Sequence, residues 1–117
     1  MGLSNQVVQL EVKASAAAGA AQAVGPFQLS GAALVVNGTF AATMQVQGSI
    51  DGGLTWTNWV GFTGTAVGNI TSPGGVFLLG GDATHVRINT SVYTSGQPVA
   101  YLMFPPILAR ADRRMAP

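Results

Sequence analysis

The stretch Gly48-Ser49-Ile50-Asp51-Gly52-Gly53-Leu54-Thr55-Trp56 reads as the tip of a β-hairpin and decides the fold class. Upstream of it, Phe40, Ala42, Met44 and Val46 point one way. Thr39, Ala41, Thr43, Gln45 and Gln47 point the other. Period-two alternation marks a strand with one buried and one wet face. Downstream, Leu54, Trp56 and Val60 are expected to continue the apolar set, with a bulge near Gly61 able to shift the register. Asp51-Gly52-Gly53 supplies the positive φ of a tight connection, and the Ser49 and Asp51 oxygens can accept from its amides. Trp56 is expected to anchor the returning strand, and Trp59 to fall on the opposite, polar face. An aromatic there is either a binding surface or a cover for the sandwich edge or the following loop.

Working outward, residues 4–13 alternate, with Val8, Leu10 and Val12 on one side and Val7, Gln9, Glu11 and Lys13 on the other. The Ala/Gly-rich stretch 14–25 is interrupted by Gly19 and Gly25, so a connection with at most a helical turn is expected. Short strands come next at Pro26–Leu29 and Ala32–Val36, and Asn37-Gly38 is a two-residue turn signal. Residues 61–75 form a long Gly/Pro-rich connection, a candidate contact loop. Val76–Leu79, apolar on both faces, reads as a buried strand. Residues 84–93 place Val86, Ile88 and Val92 inward and His85, Arg87, Asn89, Ser91 and Tyr93 outward, and Thr94-Ser95-Gly96 reads as a turn. Val99–Phe104 is the last strand, and Pro105-Pro106 ends it, because proline cannot donate to a ladder. The remainder reads as an extended arm carrying Ile107, Leu108, Arg110, Arg113 and Arg114. About seven to eight short strands between Gly/Pro/Asn turns predict an all-β chain, an antiparallel two-sheet β-sandwich of Ig-like or jelly-roll-like type. Residues 1–104 form the sandwich with its N-terminal arm, and 105–117 the C-terminal arm.

Composition narrows the function. The 117 residues suit one domain. With 0 cysteines, disulfides and thiolate metal sites are excluded. Only 8% of residues are charged and the net charge is +1, against about 25% charged in ordinary domains. A free monomer so poor in charge is poorly protected from association, so much of the surface is expected to be covered by neighbours. The weak charge argues against nucleic acid as a partner, and no apolar run approaches the roughly 20 residues of a membrane span. Gln9, Glu11 and Lys13 stand where a cleaved export signal would need its apolar core.

Catalytic chemistry has few candidates. His85 is the sole histidine, and no nucleophile elbow or paired spacing joins it to a serine and an aspartate. Asp51 and Asp82 are the only carboxylates that could be paired for glycoside hydrolysis. Side chains able to hold a metal are scattered. We therefore expect no enzyme activity, no metal and no cofactor.

These motifs carry two resemblances. Ser49-x-Asp51-x-Gly53-x-Thr55-Trp56 resembles the Asp-box hairpin of sialidase-type β-propellers, in which the box is structural; one box without repeats cannot build a propeller. The stretches Val36-Asn-Gly-Thr-Phe40, Gly48–Trp56, Pro73-Gly-Gly-Val-Phe77 and Val86–Gly96, within residues 33–104, resemble small β-sandwich structural proteins of tailed bacteriophages. That resemblance implies a head decoration (cement) protein, head fibre or tail appendage, self-associated (a trimer being expected), docked on other virion proteins such as the major capsid protein, and assembled in the bacterial cytoplasm. Interface candidates are Trp59, Tyr93, Tyr101, Phe104, Ile107, Leu108, Arg110, Arg113 and Arg114. A carbohydrate-binding module with Trp59 and Tyr93 as stacking platforms is the alternative from another class.

Overall fold

A computed structural model describes residues 6–24, 31–61 and 63–104. These build β1 (Gln6–Leu10), β2 (Gln22–Ala23), β3 (Ala33–Asn37), β4 (Phe40–Ser49), β5 (Thr57–Asn58), β6 (Gly75–Leu78), β7 (His85–Gly96) and β8 (Val99–Phe104). The first sheet has the order β1-β8-β3-β6 and the second β2-β7-β4-β5. All pairs are antiparallel. The nesting is regular: β1 pairs with β8, β2 with β7, β3 with β6 and β4 with β5. These pairs alternate between the two sheets, as when one long hairpin is rolled into two layers. The eight-stranded sandwich is thus the jelly roll of the two architectures expected.

Between the sheets lies one apolar core. Leu34 and Val36 of β3 and Leu102 and Phe104 of β8 meet Met44 and Val46 of β4 and Val86 and Ile88 of β7, all at most 1% exposed. Each set repeats at every second residue, so one face of each strand leaves water. Leu10, Val24, Ile70 and Leu79 belong to the same cluster.

Several expectations are corrected. Gln22–Ala23, inside the Ala/Gly-rich stretch, is a strand, and no helix occurs among the described residues. This segment borders the second sheet: the Gly19 amide donates to the Ile88 carbonyl at 2.8 Å, and the Thr90 amide to the Ala17 carbonyl at 3.0 Å. Pairing along that edge overrides alanine's helical preference. Gly19 approaches so closely that an added Cβ would collide with the Glu11 carbonyl.

Asn37-Gly38 does turn the chain, with φ of 99° at Gly38. It joins strands of different sheets, however, and β3 does not pair with β4. Thr94-Ser95-Gly96 belongs to β7, and the chain crosses to the first sheet at Gln97-Pro98. Register shifts occur between Ala41 and Ala42 and between Thr43 and Met44. Ser91 is the extra residue between the Met44–Thr90 and Thr43–Val92 pairs. One extra residue reverses the phase of the strand beyond it. Val92 is therefore 55% exposed, not inward. Tyr93 shares a register position with the buried Ala42 and is half-buried, not outward.

Val76–Leu79 is not buried as a whole. As the edge strand of its sheet, β6 leaves Val76 64% and Leu78 54% exposed, while Leu79 just beyond it is buried. The strand expected at Pro26–Leu29, residues 1–5 of the N-terminal arm and the whole C-terminal arm, 105–117, lie outside the described residues.

Candidate functional site

The hairpin tip comes first because its motif is the most specific in the chain. The Ser49 hydroxyl donates to Asp51 Oδ1 at 2.7 Å and accepts the Gly53 amide at 2.8 Å. The Thr55 hydroxyl donates to Asp51 Oδ2 at 2.5 Å, and the Thr55 amide to Oδ1 at 3.0 Å. Trp56 Nε1 closes the loop on the Gly53 carbonyl at 3.1 Å. The Ser49, Asp51 and Thr55 side chains are thus spent on the turn itself, and they hold the hairpin tip. The Thr55 hydroxyl foremost, then the Ser49 hydroxyl and the Thr55 amide, hold the Asp51 carboxyl well below its ordinary value of 3.8.

This fixes a sign. The folded carboxyl stays ionised while the unfolded one takes up a proton, so the stabilisation is full above the unfolded pKa and is lost as pH falls through the folded one. The melting temperature should therefore fall as pH drops through about 4 and below. Asp51→Asn should be less stable at neutral pH, and the gap between the two proteins should close in acid. A gap constant across the titration would mean that the carboxylate charge contributes nothing.

The two outer faces differ sharply. On the second sheet the outward residues Gln45, Gln47, Asn58, Arg87, Asn89 and Ser91 are polar and bonded to one another. Gln45 Nε2 donates to Asn69 Oδ1 and to Ser91 Oγ, both at 2.9 Å, and Gln45 Oε1 accepts from Asn89 Nδ2 at 3.1 Å. One position along, Gln47 Nε2 donates to Asn58 Oδ1 at 3.1 Å and Gln47 Oε1 accepts from Arg87 Nε at 2.8 Å. The Arg87 guanidinium lies 4.3 Å from the Trp56 ring centroid, a cation–π contact. These side chains form a ladder across β7, β4 and β5.

The outer face of the first sheet is uncharged and mostly apolar. One row runs Val7–Met103–Ala33–Leu78 across all four strands, and the next runs Gln9–Tyr101–Val35–Val76. Of these, Val7 is 57% exposed, and Tyr101 and Met103 are each 36% exposed. None of the four strands carries an Asp, Glu, Lys or Arg. At the β6 edge the face runs into an open apolar cleft beside Ala66, Val67 and Phe77. An antiparallel sheet on a protein surface ordinarily alternates apolar-in with polar-out. This one is largely apolar on both sides, and water is a poor solvent for much of its outer face.

The expected site residues divide accordingly. Tyr101 lies on the apolar outer face. Phe104 does not; it is 1% exposed and belongs to the core, because its position in β8 has the inward phase of Leu102. Trp59 is not an exposed platform either. Its amide donates to the Val46 carbonyl, its ring packs on the core over Gly48, and Nε1 donates to the Gly80 carbonyl at 2.7 Å. Trp56 takes the outer position instead, so the two tryptophans exchange the roles expected of them. The Gln47–Asn58 pairing sets this phase. Leu54, expected inward, is 84% exposed beside the tip. Tyr93 donates its hydroxyl to the Gly96 carbonyl at 2.7 Å and lies apart from Trp59 in the register. The pair expected to stack a sugar is therefore not assembled. Ile107, Leu108, Arg110, Arg113 and Arg114 lie outside the described residues.

Sequence reasoning read Val76 and Leu78 as buried, and it put Val7 on the polar side of its strand without singling it out as a site residue. A signal existed: Val7 and Met103 are apolar residues in the wet phase of their strands. His85 Nδ1 sits 3.0 Å from Thr84 Oγ1. Among the described residues no three His, Asp or Glu side chains converge. No family model, curated protein or solved structure matches this chain.

Proposed function

We propose that this chain is a non-enzymatic structural protein of a bacteriophage virion, in the first place a capsid decoration protein that stabilises the head by bridging neighbouring subunits. The observation that carries this reading is the charge-free first sheet with its apolar outer face, a surface suited to burial against protein. Two features support it. Jelly rolls serve as viral capsid domains, although a fold by itself assigns no function. The bacteriophage-like motifs lie on the strands and turns of this sandwich. Residues 105–117, with Arg110, Arg113 and Arg114, would add a second grip, since arginine's planar fork suits protein interfaces.

The test is quantitative mass spectrometry of purified particles of the phage that encodes the chain. A copy number matching the capsid lattice is the expected result. A few copies would move the chain to the tail, neck or baseplate. Absence from particles would reject the reading.

Glycan binding keeps one observation in its favour, the amide ladder beside Trp56 and Arg87, because planar amides and an aromatic ring are the groups that hold sugars. It requires a glycan that binds the folded protein and is lost in Arg87→Ala.

A further inference from the structure

We infer that Asn37-Gly38, the turn at which the chain crosses from the first sheet to the second, is a site of spontaneous deamidation, where the folded protein closes a succinimide that opens to aspartate and isoaspartate. The inference goes beyond the assembly role proposed above and does not depend on it.

The reaction needs two neighbouring groups at once. The amide nitrogen of the following residue gives its proton to a base in solution and bonds to the asparagine Cγ. The bond from Cγ to the side-chain nitrogen breaks, and ammonia leaves. Water then opens the ring. Breaking the new N–Cγ bond leaves aspartate, whereas breaking the original main-chain bond to that nitrogen leaves isoaspartate, whose backbone runs through Cβ. The carboxamide and the next amide must both be free to come together, and the next residue must not crowd the ring.

Folding sorts the candidates by these requirements. Asn58 Oδ1 accepts from Gln47, Asn69 Oδ1 accepts from Gln45, and Asn89 Nδ2 donates to Gln45. The amides that follow them are tied as well, Trp59 to the Val46 carbonyl at 2.9 Å, Ile70 to that of Met44 at 2.8 Å and Thr90 to that of Ala17 at 3.0 Å. Asp51-Gly52 could close the same ring, yet its Gly52 amide donates to Thr84 Oγ1 at 3.1 Å and its carboxylate accepts the Ser49 and Thr55 hydroxyls. Asn37-Gly38 differs in each respect. Both residues are exposed, and Asn37 is the last of β3, so its link to Gly38 lies past the ladder. Among the described residues, neither the Asn37 carboxamide nor the Gly38 amide has a hydrogen-bond partner. Gly38 has no Cβ to crowd the ring.

The product differs from the parent in charge and in backbone. With 5 basic and 4 acidic residues, one new carboxylate takes the net charge from +1 to zero, where proteins associate most readily. Isoaspartate also lengthens the chain at a crossover without slack: a Cβ on Gly38 would already lie 2.5 Å from the Gln97 carbonyl oxygen.

The test is to incubate the full chain in warm, mildly alkaline buffer, folded and in denaturant, and to map it by mass spectrometry with fragmentation that separates isoaspartate from aspartate. Asn37 should convert in the folded protein within about fivefold of its denatured rate, because opening an exposed, unbonded turn costs little. Folding should slow isomerisation at Asp51 by at least about tenfold more than conversion at Asn37, since the Gly52 amide must first be released. The Asn37 rate should climb with pH, as a deprotonated nitrogen requires. Asn37→Gln, which would have to close a larger ring, should abolish the modification and melt as the native protein does. Folding that slows Asn37 as much as Asp51 would overturn the inference. Conversion at Asn58, Asn69 or Asn89 ahead of Asn37 in the folded protein would do the same.

Discussion

Phe104→Ala should destabilise the sandwich by about 3–5 kcal/mol, the range for emptying an aromatic from a packed core. Small domains hold only about 5–15 kcal/mol in total, so the loss would be a large share of the whole stability. Phe104 is 1% exposed at the end of β8, the strand between β1 and β3, and it touches the central cluster. The cavity left behind would be closed only partly. Chemical denaturation measures the effect directly as a lower midpoint with an unchanged slope. An interface role predicts a different result, normal stability with weakened association. A variant that unfolds at the native midpoint would return Phe104 to the surface.

Gly48→Ala is expected to cost about 2–3 kcal/mol, although it adds a single methyl group in a strand, where alanine is ordinarily the better residue. Gly48 pairs with Thr57 on one side and Val86 on the other. Its open side is filled by the Trp59 ring: a Cβ there would lie 2.5 Å from Cε3, 2.7 Å from Cδ2 and 2.8 Å from Cζ3. Carbon atoms pack at about 3.5–4.0 Å. The indole cannot simply retreat, because its Nε1 is tied to the Gly80 carbonyl and its far edge rests near Gly81. The coupling is testable by a double-mutant cycle. Trp59→Leu should be destabilising in the native background but should recover part of the loss in the Gly48→Ala background. Strictly additive effects would show that the ring does not press on this position.

Both effects fall where the reading of the sequence and the structure part company. Phe104 and Tyr101 belong to a strand that looks apolar on both faces, and its composition cannot say which face is shared with a partner. The sandwich resolves it: Leu102 and Phe104 face the other sheet, and Tyr101 and Met103 face outward. The tryptophans show the same limit. Trp56 and Trp59 lie in opposite phases, and which one turns inward depends on the pairing of Gln47 with Asn58 and on the pocket over Gly48. No local pattern encodes either.

What the amino-acid sequence determined by itself is local. Alternation located β1, β4 and β7 and much of the core, because a strand's two faces differ at every second residue wherever only one is buried; β3 and β8 were legible as short apolar runs between turn signals. The Ser49–Trp56 turn was equally legible, since the hydrogen bonds its own side chains make link residues at most four apart, although Thr84 also braces it from afar. The tertiary structure alone decided the partner of each strand, the sheet changes at Asn37-Gly38 and Gln97-Pro98, and the bulge that exposes Val92. It also decided the joining of Val7, Tyr101, Met103, Val76 and Leu78 into one face. A period of two says that a strand has two sides and is silent about what lies beyond either. Register, bulges and neighbours are set by contacts between residues tens of positions apart, and these exist only once the chain has been rolled into two sheets.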